Sequence, residues 1–416
     1  MNTAIISTNH PLIPNNSEYL RYRKVVSIHS EDRNIEKFPD ASYFEIELPE
    51  DITNVETVRL LSWCFPSNYD VFSIANKNLE FTFKLDTQYP PIPDTIPSTP
   101  YLNALNIVYS LLTTPPNNNH EYIVTIQSGS YSPSQFVLEL QNRMNEAVTL
   151  FAVKLLQENG YASLIPDYLE GIPASNYPGG YNGFSVAFNI VSSIVWFGNN
   201  NASFTITNDS QYINKLLGGE ACLYKTLPDF SNWGLPSNIG FTRSPAVSRP
   251  AISPKDYRFY YTNFKTPVSL GGDGDWIYKD PIFNNAPIHF VKCPNKINLM
   301  GPSHFYIDIV GLNNMDETSP YNLSPFTRQT NITNGRVNIA FAKVAVSGLP
   351  LSMFYDTNAE QNYKLYDPPA DRIRRLVISI RYHNGLLVDF QTFNYTFCLE
   401  FTMLDPRIST KYKIRS

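Results

Sequence analysis

Charge is scarce in this sequence: Asp, Glu, Lys and Arg together make up 17% of its 416 residues, against about 25% in an average soluble domain. The net charge of −5 gives the molecule as a whole no basic footprint for nucleic acid. Cysteine is scarce too. Cys64, Cys222, Cys293 and Cys398 lie far apart with no Cys-x-x-Cys pair, which excludes a zinc ribbon or disulfide framework and makes a reducing compartment the default. The six histidines, at 10, 29, 120, 289, 304 and 383, form no His-x-His or His-x-x-x-His pair, so no metal site is expected. No apolar run reaches the roughly 18 residues a membrane helix needs. The first twenty residues lack a basic stretch leading into an apolar core, so no secretory leader is expected. Nucleotide-cradling glycine loops and the Gly-x-Ser-x-Gly elbow of hydrolases are missing as well, so no cofactor and no small-molecule substrate are expected. The run GGDGDW imitates a calcium loop through Asp273 and Asp275, but Asn284 stands where the bidentate glutamate would be needed. It reads as a glycine-rich turn.

Aromatics are abundant, with 27 Tyr, 26 Phe and 4 Trp, and there are 32 prolines. Strands favour aromatic residues, and so do surfaces that other proteins cover. Alternation with a period of two recurs along the chain and predicts half-buried strands. It places Phe44, Ile46 and Leu48 on one face, then Leu79, Phe81, Phe83 and Leu85, then Phe184, Val186, Phe188 and Ile190, then Phe305, Ile307 and Ile309. In VETVRLLSWCF the alternation changes frame between Leu60 and Leu61, which predicts a bulge or a strand buried on both faces. Near the end, Leu376, Ile378 and Ile380 lead into Asn384-Gly385 and then Leu386, Val388 and Phe390, a hairpin signature. A last strand carries Tyr395, Phe397, Leu399, Phe401 and Met403.

One helix is clear, over 132–159. Ser132-Pro133-Ser134-Gln135 supplies an N-cap, a proline at the first position and a capping box, ahead of a stripe of Phe136, Leu140, Met144, Ala147 and Phe151. A short helical turn is expected from Gln211 to Leu217, stopped by Gly218-Gly219. Long irregular segments span 88–100, about 157–182 and most of 226–303. Together these features predict an all-β protein, a jelly-roll β-sandwich with one or two jelly rolls, one clear helix and long loop insertions. The expected divisions are an N-terminal arm over 1–20, a first β-rich part over 21–225, a loop-rich insertion over 226–303, a second β-rich part over 304–405 and a basic tail over 406–416. That tail carries Arg407, Lys411, Lys413 and Arg415 without an acid. It is either a solvated end or an arm for an acidic partner, a membrane or a genome.

The run VVSIHSEDRN, residues 25–34, contains the ingredients of a hydrolytic triad. Ser27 and His29 on one strand stand about 6.5–7 Å apart at Cα, whereas a nucleophile and its base need side-chain contact and a third orienting group. Catalysis is therefore not expected. Asp32 and Arg33 are instead candidates for bracing the turn after the strand.

The order of motifs that begins with this run resembles the minor capsid proteins of nucleocytoplasmic large DNA viruses. In that pattern a strand ends in Asp-Ser-Arg-Asp-Arg-Asn, and a short proline loop, Phe-x-Ile-x-Leu-Pro, a valine-rich strand and a proline turn come after it. Here the corresponding residues are His29 to Asn34, Phe38-Pro39, Phe44 to Pro49, Val55 to Phe65, and Pro66 to Tyr69. Ser128 to Ser132, Leu216-Leu217-Gly218, Phe341 to Val344, the Asn384-Gly385 hairpin and the last aromatic strand continue the order as far as about residue 404. His29 and Glu31 depart from the pattern's Asp and Arg. The resemblance implies a non-enzymatic jelly-roll protein of the virion, assembled in the host cytoplasm and packed against the major capsid protein and other minor capsid proteins. A penton at the vertex or a receptor- or glycan-binding module are the alternative roles.

Overall fold

The computed structural model describes residues 19–67, 70–86, 99–172, 178–216, 234–261, 276–282, 286–318, 338–348, 352–356 and 363–406. Along the chain, β1 (Tyr19–His29) and β2 (Tyr43–Pro66) come first. Behind them are β3 (Glu80–Leu85), α1 (Pro100–Thr113), β4 (Glu121–Thr125), α2 (Pro133–Glu158) and α3 (Ile165–Glu170). Next come β5 (Phe184–Asn189), β6 (Ile194–Asn199), β7 (Phe204–Ile206), α4 (Gln211–Leu216), α5 (Gly234–Ile239), β8 (Ala246–Val247), β9 (Arg249–Pro250) and β10 (His289–Lys292). The last group is β11 (His304–Ile309), β12 (Met315–Asp316), β13 (Ile339–Ala340), β14 (Ala342–Ala345), β15 (Met353–Asp356), β16 (Tyr363–Arg381) and β17 (Thr396–Pro406). The strand pairings among these elements are antiparallel, as expected for the β class.

The chain divides into two compact units, one of residues 1–69 with 302–416 and one of residues 70–301. This corrects the expected divisions, which kept 21–225 together and began an insertion at 226. The partners of β2 are β16 and β17, some three hundred residues further on, and local patterning carries no record of that pairing.

The discontinuous unit is a seven-stranded sheet in the order β1-β17-β2-β16-β11-β14, with β15 also on β2. Its inward side chains form one core, from Phe44, Val55, Leu60 and Phe65 on β2 to Ile307, Ile378, Leu399 and Phe401 on the later strands. Phe65 sits at the centre, with ring centroids 4.7 Å from both Phe305 and Tyr395 and 5.9 Å from Phe390. The frame change in β2 is a bulge. Cys398 pairs Ser62 while Leu399 pairs Leu60, so Leu61 is the extra residue and both Leu60 and Trp63 reach the core. The expected Asn384-Gly385 turn is present, with Gly385 at φ 90° and the Tyr382 N–H donating to Leu386 O at 2.8 Å. Beyond it the second arm makes only the Arg381–Leu387 bridge, although Val388 and Phe390 are buried.

The continuous unit holds two four-stranded sheets, β4-β3-β7-β8 and β5-β6-β10-β9, with phenylalanine rings from both packed together at Phe83–Phe184, 5.0 Å, and Phe81–Phe197, 6.4 Å. The capping box of α2 is formed at Ser132 and Gln135. Its buried line runs through Phe136, Leu140, Met144, Val148 and Ala152, not through Ala147 and Phe151. Four-residue steps hold the contact row, and Phe151 instead stacks on His120 at 3.7 Å. The Asn145 side chain ties α2 to the edge of β5, donating to Phe184 O at 3.1 Å and accepting the Phe184 N–H at 3.0 Å.

Helix is more plentiful than the single one expected. Thr99-Pro100 caps α1 as Ser132-Pro133 caps α2, and Tyr101, Leu105, Val108 and Leu112 bury its apolar side. α3 occupies part of the segment read as irregular over 157–182, and α5 with β8, β9 and β10 lies inside 226–303. The helical turn expected from Gln211 is α4; Leu217 to Gly219, the loop of 88–98 and the turn of Asp273 and Asp275 lie outside the described residues.

Candidate functional site at the Arg33 turn

β1 runs into the single 3₁₀ turn of Ser30–Asp32, and the next residue, Arg33, fastens the loop that leads on to Pro39. Its Nε donates to Phe38 O at 3.0 Å and its two terminal nitrogens donate to Ser30 O at 2.7 Å and Pro39 O at 2.9 Å, with Asn394 Oδ1 at 3.3 Å. A planar fork of five donors suits a ring of carbonyls that a tight turn leaves unpaired. Of the two residues expected to brace the turn, Arg33 does so through three backbone carbonyls and the Asn394 side chain, and Asp32 is not among its partners.

The turn is also tied to the start of β17. Ser30 N–H donates to Tyr395 O at 3.0 Å, and Ser30 Oγ accepts the Tyr395 N–H at 2.9 Å and donates to Asn394 Oδ1 at 3.2 Å. The Tyr395 hydroxyl donates to Ala41 O at 2.7 Å, and burial holds this phenol well above its ordinary pKa. Beside these residues lies a cleft of about 250 Å³ lined by Asp40, Ala41, Ser42 and Leu387 to Gln391. Asp389 Oδ1 accepts the N–H of Gln391 at 2.8 Å. Among the described residues no group of three or more His, Cys, Asp or Glu is placed to hold a metal ion.

Ser27 and His29 do touch, contrary to the expectation from strand spacing. Oγ lies 3.0 Å from Nε2, because neighbouring side chains on one strand face can lean together across the Cα separation. Glu31 Oε1 is 3.9 Å from Nδ1, and Cys398 Sγ is 3.7 Å from Ser27 Oγ. The group sits on an open strand surface, with His29 and Glu31 side chains 39% and 62% exposed, and none of its members lines the cleft. It is a hydrogen-bonded pair with an acid beyond hydrogen-bonding reach, not a set built around a substrate.

A cluster of buried charge in this unit was not legible in the sequence. Arg381 on β16 meets Asp308 on β11 through two bonds, at 2.5 and 3.2 Å, and also meets Glu317. Glu317, whose side chain is 2% exposed, in turn contacts His383 Nδ1 at 2.6 Å, and the Arg381 guanidinium lies 5.2 Å from the Tyr306 ring. Burial raises the Asp308 carboxyl, and hydrogen bonding to Arg381 opposes that rise. Burial, with Lys343 and His383 nearby, lowers His304. Each of these residues reads in the sequence as an outward position on a half-buried strand or turn; only the pairing of β11 with β16 brings them together. Elsewhere on the sheet, other cations have acids beside them: Arg21 meets Glu56, Lys24 meets Glu50, Arg23 and Arg59 share Glu400, and Arg375 meets Glu45. The pairs with exposed cations, at Arg21 and Arg375, contribute little each. The basic tail residues Arg407, Lys411, Lys413 and Arg415 lie outside the described residues.

No family model matches the chain, and no curated protein matches it. Among solved structures, it is similar to the mavirus penton protein in a selenomethionine crystal structure, at 9% identity and a TM-score of 0.34, covering 92% of this chain and 99% of that one. It is also similar to a chain of the Sputnik virophage seen by cryo-electron microscopy, at 12% identity and a TM-score of 0.35, covering 93% and 98%.

Proposed function

We propose that this protein is a non-enzymatic structural component of a large DNA virus capsid, a minor capsid protein that joins neighbouring major-capsid capsomers through its loops and terminal arms. One observation carries this reading. The motif run that resembles the minor capsid proteins, from His29 to Pro66, runs from the end of β1 through the turn to β2 of the same sheet, and the motif's Arg33 fastens the turn between these two strands. The later motifs Phe341 to Val344 and Tyr395 to Met403 return to that same sheet. The partners under this reading are the major capsid protein and other minor capsid proteins, with the basic tail as a contact for the inner membrane or genome.

Imaging of intact particles by electron cryomicroscopy tests the proposal. Density for this chain between or beneath facet capsomers is the expected result; five copies ringed at each vertex would assign it to the penton instead, and its absence from purified particles would overturn the capsid role. Arg33→Ala is expected to weaken the turn by about 1–2 kcal/mol, the scale of lost hydrogen bonds from a partly exposed charged donor, and to reduce incorporation into particles. Wild-type incorporation of that variant would remove Arg33 from the reading.

A further inference from the structure

β1 lies at one end of its sheet and pairs only with β17 among the described strands. The bond from Ser30 N–H to Tyr395 O, carried back through the unbroken register in which Ile28 faces Phe397 and Lys24 faces Phe401, fixes the direction of every backbone group. Even-numbered residues bond to β17, and Arg21, Arg23, Val25, Ser27 and His29 point their N–H and C=O groups outward. The strand has no proline and no bulge, two of the devices that normally protect an edge. Its three cations, Arg21, Arg23 and Lys24, lie in the first half of the strand, beside Glu56, Glu400 and Glu50, and leave the second half unguarded. The half from Val25 to His29 carries no formal charge at neutral histidine, and Val25 is 52% exposed.

We propose that this edge pairs with the same edge of a second copy, antiparallel about a two-fold axis at Val25. Charge selects that register. Centred on Lys24 or Arg23, the pairing sets a cation directly against its own counterpart, which is destabilising. Centred on Val25, it sets Arg21 against His29, Arg23 against Ser27 and Lys24 against Val26. That is the longest overlap of β1 with itself that avoids opposed like cations. Both members of each outward pair then present bonding groups to each other, giving about ten main-chain hydrogen bonds across the axis. The surface is isologous, so the pairing closes as a dimer. This inference is independent of the capsid reading.

Sedimentation of the full chain across about a hundredfold dilution tests it. The wild type is expected to dissociate on dilution from dimer to monomer. Val25→Lys and Val25→Glu, at an exposed position and checked for unchanged circular dichroism, each place like charges on the axis and are expected to weaken the dimer about tenfold or more. An equimolar mixture of the two is expected to restore it. A wild type that stays monomeric, a dimer that persists in either variant alone, or a mixture that fails to recover would overturn the proposal. So would hydrogen-exchange protection of the Val25 and Ser27 amides that does not depend on concentration, since the edge would then be covered within one chain.

Discussion

The two units are built from similar alternating strands but close in opposite ways. In the unit of residues 70–301, β3 pairs β4 and β5 pairs β6 within a few tens of residues, and α2 lies between these pairs in the chain. In the other unit, β2 finds β16 and β17 only after the whole of the first unit has been made. Loop-closure entropy has to be met before such distant pairs return any stabilisation. Core quality at the closing strands therefore matters more in the discontinuous sheet, where an aromatic cluster surrounds Phe65 and a buried ion cluster surrounds Arg381.

Phe65→Ala tests that contrast most severely. Removing the ring that four aromatic neighbours surround is expected to cost about 3–5 kcal/mol. Hydrogen exchange should show the loss in β2, β16 and β17, with α2 and β3 still protected; equal loss in both units would break the comparison. Arg381→Met comes next, because it strands the Glu317 carboxylate in a buried site, and a cost of about 3 kcal/mol is expected, read as a lower denaturant midpoint. If the variant is as stable as wild type, the cluster contributes specificity and not stability. In the continuous unit the corresponding perturbation is local: Ser132→Ala removes the α2 cap and should cost about 1 kcal/mol, seen as faster exchange confined to the first turn of the helix.

The smallest effect is a pH dependence shared by both units. Burial lowers His304 in one and His120 and His289 in the other. The unfolded chain then binds protons more readily than the folded one, so stability is intact above the ordinary histidine value of 6.5 and declines as pH falls below it. His304→Gln should flatten that decline for the discontinuous unit alone, as followed by thermal melts between neutral and mildly acidic pH. An unchanged slope would place the titration elsewhere.

Local signals carried most of the strands. Phe305, Ile307 and Ile309, the last aromatic strand and the bulge at Leu61 lie where alternation puts them, because burial on one face of a sheet imposes its period directly on the residues. The helix at Ser132 was legible through its cap. The equivalent signal at Thr99-Pro100 was hidden, because the proline-rich run before it reads as loop up to residue 100. At the candidate site, Arg33 was legible as a turn brace but its partners were not, since backbone carbonyls leave no trace in the sequence. Ser30, Tyr395 and Asn394 meet across more than 360 positions, and Asp308, Glu317, Arg381 and His383 are joined by strand pairing that no short window contains.

The position of β17 has a consequence for the timing of synthesis. β17 lies between β1 and β2, so β1 waits for a strand synthesised more than three hundred residues later before it has a place in the sheet. The unit of residues 70–301 can form while translation continues, whereas the sheet that encloses Phe65 is completed only once β17 has been made. Any sheet surface that β1 presents, including its outward edge, therefore exists only after β17 has been synthesised and is withheld from a shorter nascent chain.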